Sequence, residues 1–444
     1  MLNKEKTIDA LFEQEIKKDS PGAAVAVIKD GSIIYKNGYG IACMDYDIPI
    51  TPATIFHVAS VSKQFTAFAI VLLADQGKLS LDDDIHKYLP EISDFGKTIT
   101  IRHLIHHTSG LRDQWELLMM AGWRIDDVIT NEHILKIARR QKELNFDPGE
   151  EYLYCNTGYT LMGEIVARVS GQSFREFTAK NIFEPLEMNN THFHDDHEMI
   201  VKNMAYSYDP DGNDGFKKSI LSFANVGATS LFTTVEDLAK WLDNFDKKAV
   251  GGETVINQML QKGKLNNGIE IDYAFAIVIG KYRGLNTLGH GGMDAGYRSQ
   301  IVLFPDQKFG VAVLSNLGSF SPYNLAMRIA DFYLADQLAP MEIKEEATAQ
   351  QPEKTYSTAL DEYVGSYYSD ELGTEYTMVI KDDKLIREHR RIDDVILTCM
   401  DRDIFNGYGI SNLTFTRDES NNIIGFRLTG SGRVRNLRFD KRSI

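Results

Sequence analysis

Residues 56–76 read FHVASVSKQFTAFAIVLLADQ and are followed by Gly77. The run from Ala67 to Ala74 is apolar without interruption, and glycine is the residue that most often closes a helix in the left-handed conformation. The stretch therefore predicts a long apolar helix over Val61–Gln76 with Ser60 at its mouth. Lys63, three residues on, falls on the same helical face as Ser60. A serine hydroxyl is a weak nucleophile until a base takes its proton. A lysine partly stripped of water at a helix N-terminus has a lowered pKa and can help. The free N–H groups of the helix start can receive a developing oxyanion. Taken alone, Ser-x-x-Lys reads more often as an N-cap serine followed by an exposed lysine.

Upstream, Lys4–Lys18 has Ile8, Leu11, Phe12 and Ile16 at helical spacing. A hairpin follows, with Ala23–Ile28 and Ile33–Tyr35 joined by Asp30-Gly31, a strong hairpin signal between apolar runs. Downstream, residues 98–185 read as helices and loops, with an amphipathic segment at Gly158–Val169. Tyr273–Gly280, Gln300–Phe304 and Gly310–Ser315 read as strands, and Tyr323–Leu338 as a closing helix. Sheet at both ends with a helical insertion between them predicts an α/β (α+β) domain, an antiparallel sheet flanked by helices with an all-α region, over residues 1–340. The polar segment 341–357 reads as a linker. Beyond it, short β-rich runs alternate with turn signals such as Asp382-Asp383 and Gly430-Ser-Gly432, which predicts an all-β sandwich or barrel over 358–444.

The chain has 444 residues, 43% hydrophobic and 25% charged, the make-up of a globular protein of two or three folding units. No apolar run approaches the roughly 20 residues of a membrane span. The N-terminal segment MLNKEKTIDALFEQEIKK lacks the apolar core of a secretory signal, so the expected location is cytoplasmic. The net charge of −15 disfavours nucleic acid as a partner. The excess falls on the first 354 residues, since the segment from Thr355 onward carries only −2. Three widely spaced cysteines (Cys43, Cys155, Cys399) form no disulfide framework or zinc finger.

Two further motifs accompany Ser60 and Lys63. Tyr154-Cys-Asn156 follows the turn Asp147-Pro-Gly-Glu150, placing a phenol that can pass protons beside a carboxamide that can hold a substrate carbonyl. His290-Gly-Gly292 falls between expected strands and reads as a turn whose glycines let a substrate backbone come close. The order and separations of the three motifs resemble the class C-like branch of the serine β-lactamase/DD-peptidase superfamily. So do Gly77-Lys-Leu-Ser-Leu-Asp-Asp83, Ile101-Arg-His-Leu-Ile-His-His-Thr-Ser-Gly-Leu111, Pro148-Gly-Glu-Glu-Tyr152, Asn156-Thr-Gly-Tyr159 and Gly227-Ala-Thr-Ser-Leu231. The resemblance spans about residues 5–338.

That resemblance implies that Ser60 is the acylated nucleophile, Lys63 its proton partner and Tyr154 the general base. It implies Asn156, His290 and Gly292 as substrate-binding residues and the backbone N–H groups of Ser60 and Met293 as the oxyanion hole. No cofactor and no metal are implied. His290 stands where β-lactamases of the Lys-Thr-Gly type carry lysine, which tilts the expectation toward a peptidase on small peptides, with D-residue specificity. A carboxylesterase, then a β-lactamase, and a catalytically silent peptide sensor are the alternatives. The tail, on Leu360-Asp-Glu-Tyr-Val-Gly-Ser-Tyr367, resembles the lipocalin-like barrel of some family members, implying a domain that caps the site, holds a small ligand or builds a homo-oligomer. His192, His194 and His197 are spaced too loosely for a metal site and read as a solvated loop. His106 and His107 read as packing near the site, and Cys155 as structural.

Overall fold

The computed structural model describes residues 4–212, 215–340 and 359–442. The expected linker lies outside the described residues. Six strands form one antiparallel sheet: β1 (Ala23–Lys29), β2 (Ser32–Tyr39), β3 (Val278–Tyr282), β4 (Leu285–Asp294), β5 (Tyr297–Phe304) and β6 (Phe309–Ser315), in the order β3-β4-β5-β6-β1-β2. The central strands are buried on both faces because alternate side chains enter different layers. Ala24, Ala26 and Ile28 join the main core, while Ala23, Val25 and Val27 pack with Ile8 and Phe12 of α1 (Lys4–Glu13) and Leu325 and Ile329 of the closing helix Pro322–Tyr333.

The apolar stretch forms helix α2 (Ser62–Asp75), of which Ser62 through Leu73 are all buried. A helix apolar all round belongs in a core. It ends as a Schellman motif: the Lys78 N–H donates to the Leu73 carbonyl at 2.9 Å and the Gly77 N–H to Ala74 at 2.9 Å, with Gly77 at φ +68°. The helical insertion contributes α3 (Gln114–Met120) and α4 (Asn156–Ser170).

Three expectations need revision. The first helix unwinds after Glu13, although Ile16 N–H still reaches the Phe12 carbonyl at 2.8 Å. Tyr273–Ile277 is not strand; it turns through Ala276 at φ +56° with every residue buried, an apolar run whose lack of alternation signalled burial rather than pairing. His290-Gly-Gly292 is not a turn but lies within β4, paired on β5 as His290 with Ile301 and Gly292 with Ser299.

The C-terminal region is a closed eight-stranded antiparallel barrel running from Gly365–Ser369 to Leu437–Lys441. Its interior is filled by side chains, with Tyr376 and Phe439 stacked at 4.6 Å and Phe426 and Phe439 at 4.7 Å. The core of the barrel continues into the insertion through Leu117, Leu118 and Ile134. Arg112 and Glu371, both buried, pair across this junction, and Tyr376 Oη donates to the Met120 carbonyl at 2.8 Å.

Candidate active site

Ser60 sits in a single tight turn, Ala59–Val61, that feeds α2. The turn is clamped from both sides. The Val58 N–H donates to the Leu231 carbonyl at 3.0 Å, and the Leu231 N–H donates to Ser62 Oγ at 3.0 Å. Ala59 holds φ +47°, a left-handed conformation that an alanine adopts only where its surroundings force it. Strand β4 passes the turn so closely that a Cβ at Gly292 would stand 2.3 Å from the Val58 carbonyl oxygen and 2.4 Å from Ser299 Oγ. Only glycine fits there, and the approach carries Met293 alongside Ser60.

Lys63 is fully buried, and its Nζ donates to Ser60 Oγ at 3.0 Å and to the Ala228 carbonyl at 2.7 Å. Burial lowers its pKa, against the opposing pull of Asp294 and Asp113. Its Nζ lies over the Tyr154 ring at 5.0 Å and the Tyr159 ring at 5.7 Å. Tyr154 lines the same cleft as Ser60, and burial raises its pKa with Ser60 as the main opposing influence. The phenol therefore rests protonated. His107 packs against Tyr154 with ring centroids 4.2 Å apart and planes tilted by 36°, and it accepts from the Cys155 N–H at 3.0 Å, which fixes the ring of one and the backbone beside the other. Burial pushes the Cys155 thiol up to about 12, so it stays an unreactive thiol.

Asn156 opens α4. Its backbone N–H and its Nδ2 both donate to Asp113 Oδ2 at 2.7 Å. The acceptor fixes the amide orientation: one of the two Nδ2 hydrogens is engaged by Asp113, and the other hydrogen and the oxygen remain for a ligand. His290 lines the cleft, but both ring nitrogens are engaged, Nδ1 donating to the Gly291 carbonyl at 2.6 Å and Nε2 meeting Tyr273 Oη at 3.1 Å. Burial lowers its pKa to about 4, so the imidazole is neutral.

The cleft encloses about 490 Å³ and brings together Ser60, Tyr154, Asn156, His290, Gly292 and Met293. Sequence reasoning missed Asp113, Asp294, Trp115 and Arg433. Asp294, raised by burial, accepts from Thr229. Arg433 arrives from the barrel. The adjacent Gly430-Ser-Gly432 signalled a turn but gave no sign of where it docks. His192 and His194 pack on Phe232, with ring centroids at 5.7 and 4.6 Å.

An antiparallel sheet flanked by helices, with a serine–lysine pair packed against β4, is the architecture of the β-lactamase/DD-peptidase kind. The chain belongs to the β-lactamase family, whose profile, described as Beta-lactamase, matches residues 8–335. It is 27% identical over 345 residues to a D-aminopeptidase of Gluconobacter oxydans (strain 621H), covering 78% of this chain and 64% of that protein, less than two thirds of its length. It is 30% identical over 414 residues to penicillin-binding protein 4* of Bacillus subtilis (strain 168), covering 87% and 88%. Among solved structures, the octameric penicillin-binding protein homologue from Pyrococcus abyssi matches with a TM-score of 0.67 at 25% identity, covering 98% of this chain and 99% of that one. The barrel is thus included in the shared architecture.

Proposed function

We propose that this serine hydrolase is a peptidase that cleaves small peptides through an acyl-enzyme on Ser60, with preference for D-residues. The observation that carries the mechanism is the 3.0 Å contact between Ser60 Oγ and the buried Lys63 amine. Neutral Lys63, in place of the Tyr154 base that the resemblance implies, takes the hydroxyl proton as Oγ attacks the carbonyl, because burial keeps the phenol protonated and favours the neutral amine. The N–H groups of Ser60 and Met293 receive the oxyanion, and Asn156 Oδ1 accepts from a substrate N–H. Tyr154 gives its proton to the departing amine and regains one by way of Lys63. Water then attacks the ester and releases the acid. Gly292 sets the distance between the two oxyanion donors, and His290 shapes the cleft wall through Tyr273.

D-preference and a peptide substrate are supported by the likeness to a D-aminopeptidase, and a β-lactamase role is disfavoured by the neutral His290. The reading divides the chain at 1–340 and 358–444 around a linker at 341–357. It assigns the protein to the cytoplasm, supported by three free cysteines, and includes a homo-oligomer built through the barrel. The test is hydrolysis of paired D- and L-alanine p-nitroanilides beside p-nitrophenyl butyrate, by wild type and Ser60→Ala. Amide cleavage that favours D and vanishes in the variant supports the reading. Cleavage of the ester alone contradicts it and leaves a carboxylesterase.

A further inference from the structure

The two N–H groups assigned to the oxyanion lie on separate segments, that of Ser60 in the serine turn and that of Met293 on β4. Met293 is bracketed by Gly292, whose place against Val58 admits no side chain, and by Asp294, whose carboxylate lines the cleft. From Asp294 a chain of side chains leads back to the serine turn. Thr229 Oγ1 donates to Asp294 Oδ2 and stands 3.1 Å from His57 Nε2, and the Ala59 N–H donates to His57 Nδ1 at 3.3 Å. The chain thus begins on the residue after Met293 and ends on the residue before Ser60.

The direction of each bond follows from its ends. Burial lowers the His57 pKa to about 3, so the ring is neutral, with one donor and one acceptor nitrogen. The Thr229 hydroxyl spends its proton on the carboxylate, so its oxygen can only accept, and the group facing it is Nε2–H. Nδ1 then holds the lone pair that the Ala59 N–H requires. The Ser230 N–H also approaches Nε2, at 3.3 Å, but that nitrogen has no lone pair to give in this tautomer. The imidazole is fixed by packing, edge-on to Phe232 with ring centroids at 5.3 Å and against Tyr297 at 5.4 Å. His57 and Thr229 are both buried, where a satisfied polar chain is rigid and an unsatisfied one is costly. Ala59 needs such support, since its φ of +47° persists only where neighbours impose it.

We propose that His57, Thr229 and Asp294 are positioning residues of the hydrolase, a side-chain bridge that fixes the Met293 and Ser60 N–H groups relative to one another. The proposal rests on the reading of these two groups as the oxyanion donors. The bridge keeps both donors aimed at one point, which matters to the rate only once charge has developed on the substrate oxygen. Acylation and deacylation both pass through such an oxyanion, so loss of the bridge lowers kcat and leaves KM near its starting value. The Thr229 hydroxyl is the link that both neighbours share, and its removal breaks the chain in the middle.

The test uses the full chain with Thr229→Val, which removes the hydroxyl at nearly constant shape, and Thr229→Ser, which keeps it. The readouts are kcat and KM for D-alanine p-nitroanilide and p-nitrophenyl butyrate and the rate at which a fluorophosphonate labels Ser60, each referred to the folded fraction from thermal unfolding. Thr229→Val is expected to lower kcat and the labelling rate by about ten- to a hundredfold, short of the complete loss of one oxyanion donor, with KM within about threefold. Thr229→Ser keeps both rates within about threefold of wild type. Asp294→Asn replaces the charge-assisted bond by a neutral one and should show the same split at about tenfold, which keeps the test intact if Thr229→Val does not fold. The double change should lose no more than the worse single change, because both cut one bridge. A loss under about tenfold in folded Thr229→Val, a loss carried by KM, no rescue by serine, or losses that multiply in the double variant overturns the proposal. A lowered thermal midpoint with unchanged kinetics marks a merely structural contact and overturns it as well. Failure of the hydrolase reading looks different: wild type itself leaves both substrates uncut and Ser60 unlabelled, and the proposal falls with it.

Discussion

Gly292→Ala places a methyl group on β4 where the strand passes the serine turn. The new methyl carbon would lie 2.3 Å from the Val58 carbonyl oxygen, whereas ordinary contact begins at 3.4 Å. Ser299 Oγ, at 2.4 Å, can rotate away at the loss of its 2.8 Å hydrogen bond to the same carbonyl, but the carbonyl is main chain and leads directly into Ala59 and Ser60. The gap between β4 and the serine turn must therefore open by about 1 Å, a misplacement that costs on the order of 10²-fold in rate where reacting groups are held in line. Overpacking of this kind costs about 1–3 kcal/mol of stability. Gly280→Ala in neighbouring β3 is the matched control, because its methyl would find nothing nearer than Thr287 Oγ1 at 3.4 Å. The assay is turnover of the best p-nitroanilide with the thermal midpoint of each variant. Wild-type turnover in Gly292→Ala would refute the claim that this glycine sets the geometry of the oxyanion donors.

Tyr154→Phe should slow acylation by about 10²–10⁴ as measured by single-turnover kinetics, and a change under about tenfold would remove Tyr154 from proton transfer. The pH–rate profile should rise with pH through a pKa well below the ordinary lysine value of about 10.4, because neutral Lys63 is the base and burial favours its neutral form; a limb at the ordinary value would contradict this. Glu371→Ala leaves buried Arg112 with only the more distant Glu143 carboxylate at 3.6 Å and the Arg435 carbonyl, and should cost about 3 kcal/mol in thermal unfolding, the low end for a broken buried pair, most of it recovered by the double change Arg112→Met, Glu371→Leu. Stability should fall as pH drops from 7 to 5. Burial holds His57 at about 3 and His106 and His290 at about 4, so the unfolded chain binds more protons than the fold over this window. Asp294 and Glu116, shifted upward, act in the opposite sense but are fewer. A thermal midpoint that rises on acidification would reverse that sign.

What the sequence made legible were features whose signal is local. Ser60 and Lys63 are three residues apart, so helical geometry alone brings them to one face. The unbroken apolar run and Gly77 announce both the burial of α2 and its end. The turn signals beyond residue 358 announce a β region. What stayed hidden depends on contacts between distant segments. Asp113 reveals itself only when α3 and α4 meet, since its partner Asn156 lies 43 residues away. Arg433 is one of several basic residues in the tail until Glu116 captures its turn. His290-Gly-Gly292 misread as a turn for a related reason. Glycines in a row usually mark a bend, but here Gly292 answers a steric demand made by Val58, which no local pattern displays. The orientation of the Asn156 amide stayed hidden for the same cause, because it is set by Asp113.

Everything in the mechanism depends on Ser60 being a nucleophile made so by buried Lys63. Intact-protein mass spectrometry after exposure to a fluorophosphonate, with the adduct mapped by peptide sequencing, tests it most directly. One adduct is expected, on Ser60, absent in Ser60→Ala and formed at least about a hundredfold more slowly in Lys63→Met. An adduct on another residue, or an undiminished rate without the lysine, would contradict it.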